Sequence, residues 1–182
     1  MKNSLISLLL VCLSSIGMAQ QQSSYPSNYK LREARKVGAG LSVGGALGVL
    51  GGLIELNIED DDGVLAGFGT GAGYQTLALS WKHAFEGEYF TPYTTLGLAS
   101  WWNSGNQADA SNSSLLKNFL NDKEKLSRKF SLEILSGSAG MQFNQLSGDF
   151  VGASFFIEFG ALLVMDRTKI MPTGSIGTLY YF

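Results

Sequence analysis

Four charged residues stand almost alone in stretches of apolar and very small residues: Glu55 in "LIELNIE", Lys82 in "LSWKHAF", Glu133 in "SLEIL" and Glu158 in "FFIEFGA". Carboxylates and an ammonium in such surroundings do one of two things. They line a gated polar path or proton-linked site, or they pair with one another as an internal ion network, because a charge removed from water must be compensated. Three carboxylates against one Lys is unbalanced, so Lys36, Lys129 or a protonated Glu has to close the sum. Other chemistry is thinly supplied. His83 is the sole histidine, with no neighbouring Ser for an acyl-transfer dyad and no partners for a transition-metal site. The acidic run Glu59–Asp62, "EDDD", lacks the spaced ligands and distal Glu of a calcium loop and reads as a turn. No cofactor, catalytic residue or metal site is expected.

The elements that hold the four charges have a side-chain period of two. In "LIELNIE", Ile54, Leu56 and Ile58 alternate with Glu55, Asn57 and Glu59; in "TLALSWKHAF", Leu77, Leu79, Trp81 and Phe85 alternate with Thr76, Ala78, Ser80 and Lys82. "VGASFFIEFGALLVM" carries Phe155, Ile157, Phe159 and Leu163 on one face and Ser154, Glu158 and Gly160 on the other. That period means strands. One segment is ambiguous: "VGAGLSVGGALGVLGGLI" (37–54) reads as two strands, or as a helix with Gly40, Gly44, Gly48 and Gly52 on one face. Strands are expected near 36–47, 51–59, 64–71, 74–85, 88–101, 128–143, 149–165 and 172–182.

Composition decides what those strands build. The chain has 182 residues, of which 45% are hydrophobic and 15% charged, with 23 Gly, 3 Pro and net charge −2; mean hydropathy is +0.11. Charge at this level is low for a water-soluble domain, where about 25% is usual, and nothing in the balance points to nucleic acid. One sheet face is large and apolar, and the other is small and mildly polar. Small residues cannot solvate a surface, but they fill the narrow interior of an eight-stranded barrel while the larger ones meet lipid. Only a closed barrel satisfies every strand backbone group in hydrocarbon. The expected fold is an all-β, eight-stranded antiparallel transmembrane barrel. Trp81, Tyr89, Phe90, Trp101, Trp102, Tyr180 and Phe182 form its interfacial girdles, and Glu55, Lys82, Glu133 and Glu158 point inward.

The ends of the chain agree. "MKNSLISLLLVCLSSIGMAQ" has a basic residue, a short apolar core and small residues before a cleavage point after Ala19, which is the pattern of a secretory signal peptide. Cys12 lies too early, behind Leu10 and Val11, for lipid attachment, and the exported chain has no other cysteine. The organisation is then 1–19 signal peptide, 20–35 periplasmic segment and 36–182 barrel. The closing "SIGTLYYF" places Ser175, Gly177, Tyr180 and Phe182 at the spacing of a C-terminal β-signal. It resembles that of bacterial outer-membrane β-barrel proteins, and the whole is similar in plan to the compact OmpA-, OmpX- and OmpW-type barrels. The resemblance implies recognition of the last strand by the barrel-assembly machinery and residence in the outer membrane, among its lipid and lipopolysaccharide. Phe182 then sits at the periplasmic rim, where the last strand closes on the first.

With both ends periplasmic, "DDDG", "EGE" and "NQLSGD" are short periplasmic turns, and the long segment 102–129 lies outside. Its second half, "LLKNFLNDKEKLSRK", places Leu115, Leu116, Phe119, Leu120 and Leu126 at helical spacing among Lys117, Lys123, Lys125, Arg128 and Lys129. A short amphipathic helix there either caps the barrel or offers Lys117, Phe119, Lys123, Lys125 and Arg128 to lipopolysaccharide or a surface partner. The expected role is non-enzymatic: envelope integrity or surface contact. A narrow channel for small or hydrophobic solutes is the alternative, and a lipid-modifying enzyme built on His83 is the weaker third.

Overall fold

The computed structural model describes residues 24–103, 116, 119–120, 130–167 and 169–182. The leader, and within the long loop Lys117, Lys123, Lys125 and Arg128, lie outside the described residues. A short helix, α1 (Asn28–Ala34), precedes eight strands: β1 (Val37–Gly44), β2 (Leu50–Asn57), β3 (Asp62–Gly71), β4 (Tyr74–Ala84), β5 (Phe90–Asn103), β6 (Ser131–Asn144), β7 (Ala153–Val164) and β8 (Lys169–Tyr181). Each strand pairs antiparallel with the next, and β8 pairs with β1, so the sheet closes into a barrel with no free edge.

The ambiguous segment 37–54 forms β1, a 3-10 turn (Gly45–Leu47) and β2. The chain reverses there because Gly44, Gly45 and Gly48 take φ of 87°, 71° and 81°, which excludes a continuous helix and disfavours any residue with a Cβ. The four-residue glycine repeat therefore serves a turn and two strand faces.

The two faces are sorted as the alternation predicts. Leu77 and Leu79 of β4 are 55% and 59% exposed, and Phe155 and Ile157 of β7 are exposed as well. Inward positions at those heights carry Ala78, Ser80, Phe156 and Glu158. A band of Leu, Ile, Phe and Met around the outside, with no core beneath it except the lumen, is an inside-out protein.

The lumen is not lined by small residues alone. Trp101, Tyr74, Tyr93, Tyr181 and Phe156 all point inward and are buried. Trp101, expected in the outer girdle, is inside because β5 continues to Asn103 with unbroken alternation, which sends Trp102 outward against Phe68 and Trp101 onto Tyr74. Inward glycines make the space for these rings. A Cβ at Gly71 would lie 2.1 Å from the Tyr74 ring, and one at Gly177 would lie 2.5 Å from that of Phe156.

Candidate functional site

The lumen is the candidate site, and it has three storeys. At the end with the short turns, Glu55 is fully buried and shared between two cations. Its Oε1 accepts from Arg32 Nη1 at 2.5 Å, and its Oε2 accepts from Lys82 Nζ at 2.8 Å and from the Tyr181 hydroxyl at 3.0 Å. Lys82 also donates to Gln142 Oε1 at 2.5 Å and lies 4.6 Å from the centre of the Tyr93 ring. Gln142 Nε2 donates onward to Asn144 Oδ1 and to the Tyr181 hydroxyl, and Ser154 donates to the same Asn144 oxygen. In a low-dielectric interior such a network is stable only when its members are mutually satisfied.

Arg32 is the member the sequence reading missed. It arrives from α1, which lies across the barrel mouth with Leu31, Arg32 and Asn28 buried. α1 is tied down by Asn28 N–H to Gly87 O (3.2 Å), by the Tyr29 hydroxyl to Ala84 O (3.1 Å) and by Arg32 Nε to Asp60 O (2.9 Å). Arg35, which ends the helix, donates to Val151 O (2.9 Å) and Tyr181 O (2.7 Å). Burial, then the carboxylates of Asp61, Glu86 and Asp60, push the Tyr29 phenol above its ordinary range. The available signal was arithmetic. Three carboxylates and one Lys needed another cation, and "YKLREARK" supplies several next to the first strand.

The middle storey is a chamber of about 80 Å³ with Lys82 and Tyr93 in its floor; its walls are mostly apolar, Leu53, Leu65, Ala78 and Leu162 among them, with the hydroxyls of Ser42, Ser80, Thr95, Ser136 and Thr173 set between. That is room for several waters. Glu158 stands in it, half-buried. Its Oε1 accepts from Ser175 Oγ at 2.7 Å, and its Oε2 accepts from Ser138 Oγ at 3.0 Å and from the Tyr93 hydroxyl at 3.1 Å.

The third storey closes the end with the long loop. The turn Gly45–Leu47 folds into the barrel, where Trp101 Nε1 donates to Ala46 O at 2.8 Å and Thr76 Oγ1 donates to Leu47 O at 3.0 Å. Tyr74 stacks on Trp101 at 4.9 Å, and Phe119 meets the edge of that indole at 6.1 Å. Leu116, Leu120, Leu132, Ile134, Leu162 and Val164 complete an apolar plug.

Two expected positions are corrected. Glu133 is exposed on the outer face, opposite Ser100, because Leu132 and Ile134 are the buried members of β6. The parity of Leu135, Met141 and Phe143 carried that information. Phe119 is 1% exposed and packs into the plug, so it is an anchor and not a surface contact. With Glu133 outside and Arg32 inside, the strand-borne and helix-borne charges of the lumen among the described residues are two cations, Arg32 and Lys82, and two carboxylates, Glu55 and Glu158.

Ser175 and Gly177 face inward, the former on Glu158 and the latter against Phe156. Tyr180 and Phe182 face outward and pack edge to face at 5.3 Å. Phe182 N–H donates to Val37 O at 2.8 Å, closing the seam between last and first strands. His83 lies on the outer face at the short-turn rim, its Nδ1 2.9 Å from Asp62 Oδ1. Asp61, Asp62 and His83 have ligand atoms within 4.8 Å of one another. Trp81 Nε1 also donates to Asp62 Oδ1 at 2.9 Å, so this oxygen already ties an indole and an imidazole to the rim.

A closed eight-stranded barrel with an apolar exterior and a polar, filled lumen is the fold of the small outer-membrane β-barrel proteins. No protein-family model matches the sequence, and no curated protein matches it. Among solved structures, the chain is similar to the N-terminal β-barrel domain of Pseudomonas aeruginosa OprF, with TM-score 0.50 and 14% identity over 79% of this chain and 95% of that one. It also matches the Yersinia pestis outer membrane protein Ail, with TM-score 0.46 and 14% identity over 81% of this chain and 99% of that one.

Proposed function

We propose that this chain is a non-enzymatic structural protein of the bacterial outer membrane, exported by its signal peptide and contributing to envelope integrity. The observation that carries this reading is the lumen. It is filled at one end by α1 and the Arg32–Glu55–Lys82 network and at the other by Trp101, Leu47 and Phe119. A barrel whose interior is occupied by its own side chains serves as a rigid wall element, because its interior is a core rather than a path. The short-turn end, with α1, faces the periplasm. The outward pair Tyr180 and Phe182, with Ser175 and Gly177, is what the barrel-assembly machinery reads during insertion. Lys117, Lys123, Lys125 and Arg128 contact lipopolysaccharide, with Leu116, Phe119 and Leu120 anchoring their segment to the barrel.

Planar-bilayer recording of the refolded full chain tests the reading. Membranes that hold the heat-modifiable, folded barrel and pass no stable current support it, and steady unitary openings overturn it in favour of a narrow channel. In cells, loss of the gene is expected to raise sensitivity to detergents and large antibiotics, restored by the intact chain.

A further inference from the structure

The seam that closes the sheet is shorter than the strand that forms it. β1 and β8 pair from Gly38↔Tyr181 to Gly44↔Ser175, and there β1 ends, its chain turning into the lumen as Gly45–Leu47. β8 overhangs that last rung toward the long-loop end, where it pairs with β7 as far as Val164↔Lys169. Phe182 N–H donates to Val37 O, so the even-numbered members of β8 turn their backbone groups toward β1. Pro172 is one of them and has no N–H to offer, which suits a length of strand without a neighbour on that side. The wall therefore has a notch above the Gly44–Ser175 rung.

Two spaces meet at the notch. The chamber reaches it from within, lined by Gly44 and Gly45 on one side and Thr173 and Gly174 on the other. A groove of about 640 Å³ reaches it from outside, with Leu41 and Val43 of β1, Ile176 and Thr178 of β8, and Phe155 and Ile157 of β7 along it. Val43 pairs with Ile176, one position from the last rung, so the groove ends where the notch begins. A groove in a lipid-facing wall takes a hydrocarbon chain from the membrane.

The chamber states what that chain should carry. Ser42 is 4% exposed, lines the chamber, and its Oγ has no hydrogen-bond partner among the described residues. A buried hydroxyl left unpaired in a mostly apolar space is the one polar group there that awaits a ligand. The charges are already met: Lys82 donates to Glu55 and Gln142, and Glu158 accepts from Ser138, Ser175 and Tyr93. An ionic head would upset that balance, whereas an uncharged hydroxyl accepts the Ser42 hydrogen and leaves its carbons against the Leu and Ala walls. The chamber's 80 Å³ is roughly half the 150 Å³ that holds a benzene, which is room for about four non-hydrogen atoms.

We propose that the chamber is the head pocket for a single-chain lipid with a small uncharged hydroxyl head, in chemical terms a long-chain alcohol. Its chain lies outside in the groove along β8, and its head enters the chamber sideways through the notch. The inference goes beyond the closed-lumen reading and fails separately from it. Unitary currents would defeat the closed lumen and leave a side pocket standing, whereas failure to take the alcohol defeats only the pocket.

The test is titration of the refolded full chain in phospholipid bicelles with 1-dodecanol and, as a headless control, dodecane, followed by amide NMR. Dodecanol should shift the amides of Ser42 and Thr173 saturably, and dodecane should leave them unmoved. Ser42→Ala should weaken dodecanol binding about fivefold, the worth of one hydrogen bond. It should leave the urea midpoint of the unliganded barrel unchanged, because the hydroxyl makes no bond there to lose. Thr173→Trp, which fills the notch, should abolish the shift at Ser42. Equal shifts with dodecane, shifts confined to outward residues such as Ile157 and Ile176, or native affinity in Ser42→Ala overturn the proposal. A lowered midpoint in unliganded Ser42→Ala overturns it as well, by giving Ser42 a structural partner.

Discussion

The guanidinium of Arg32 lies 2.5 Å from the carboxylate of Glu55, and neither group touches solvent, although one belongs to a terminal helix and the other to the barrel wall. Lys82 holds the other carboxylate oxygen at 2.8 Å. One anion is thus the joint between two cations, and its removal strands both. Glu55→Ala should destabilise the barrel by about 3–5 kcal/mol, the usual consequence of leaving buried charge unpaired. Arg32→Ala should cost less, because Lys82 still neutralises Glu55. In the double variant the two losses should fall short of additive by about 0.5–3 kcal/mol. Urea unfolding of the refolded barrel, followed by gel mobility, measures all three, and strict additivity would contradict the shared joint.

Trp101 is the keystone of the opposite end. It stacks on Tyr74, meets Phe119 edge-on and donates its indole N–H to Ala46 O. Trp101→Ala should therefore cost about 3–5 kcal/mol, while Trp102→Ala, on the outer face, should cost much less. A reversed order in thermal unfolding would return Trp101 to the girdle where its sequence context first placed it.

The inward turn depends on an absence of side chain across from it. A Cβ at Gly69 would sit 2.0 Å from the Leu47 carbonyl oxygen, a backbone atom that cannot rotate away. Gly69→Ala should expel the turn from the lumen and cost about 1–3 kcal/mol, whereas Gly52→Ala meets nothing within 4 Å and should be close to neutral. Comparable losses at both positions would mean that the turn does not occupy the lumen in the membrane.

The strands were legible because period two is a local signal that each segment carries alone: β2, β4 and β7 announce both their state and their outward face. Eight strands with a long fifth connection follow from the same signal. The lumen was less legible for a physical reason. Glu55, Lys82 and Glu158 were assigned by parity within their own strands, but Glu133 was misassigned because the polarity of β6 is reversed at its long-loop end, where the apolar Leu132 and Ile134 enter the plug and Ser131 and Glu133 face outward. Arg32, Leu47 and Phe119 reach the lumen from outside the strands, and no strand periodicity carries information about a helix or turn folded into the barrel. Their places follow from tertiary fit: a charge that needed balance, glycines that left a gap, and apolar residues that needed cover.

Tyr29 makes the docking of α1 pH-dependent. Its phenol is raised above the ordinary value of 10.0 by burial and by the nearby carboxylates of Asp61, Glu86 and Asp60, and its hydroxyl donates to Ala84 O. A raised pKa in the docked state means that docking favours the neutral phenol. This contribution is full below pH 10 and is lost as pH rises through the docked-state value. Alkaline titration should release α1, seen as accelerated proteolysis near residues 24–35, and Tyr29→Phe should remove the phenol's part of that pH dependence. An unaltered profile in Tyr29→Phe would assign the release to another group.

Glu133 and Glu158 look equivalent in sequence, each a single carboxylate in an apolar strand, and the structure separates them. Glu133 lies exposed on the outer face near the end of β6 that leads from the long loop, so Glu133→Ala removes no luminal contact and should change stability by no more than about 0.5 kcal/mol. Glu158 accepts from Ser138, Ser175 and Tyr93. Glu158→Ala leaves three hydroxyls without their acceptor and Lys82 without its second countercharge, and should cost about 1–3 kcal/mol. Denaturant midpoints for the two variants in the same lipid decide the matter. If Glu133→Ala proves the more damaging, β6 is out of register by one residue, and the charge balance of the lumen would have to be drawn again with Glu133 inside it.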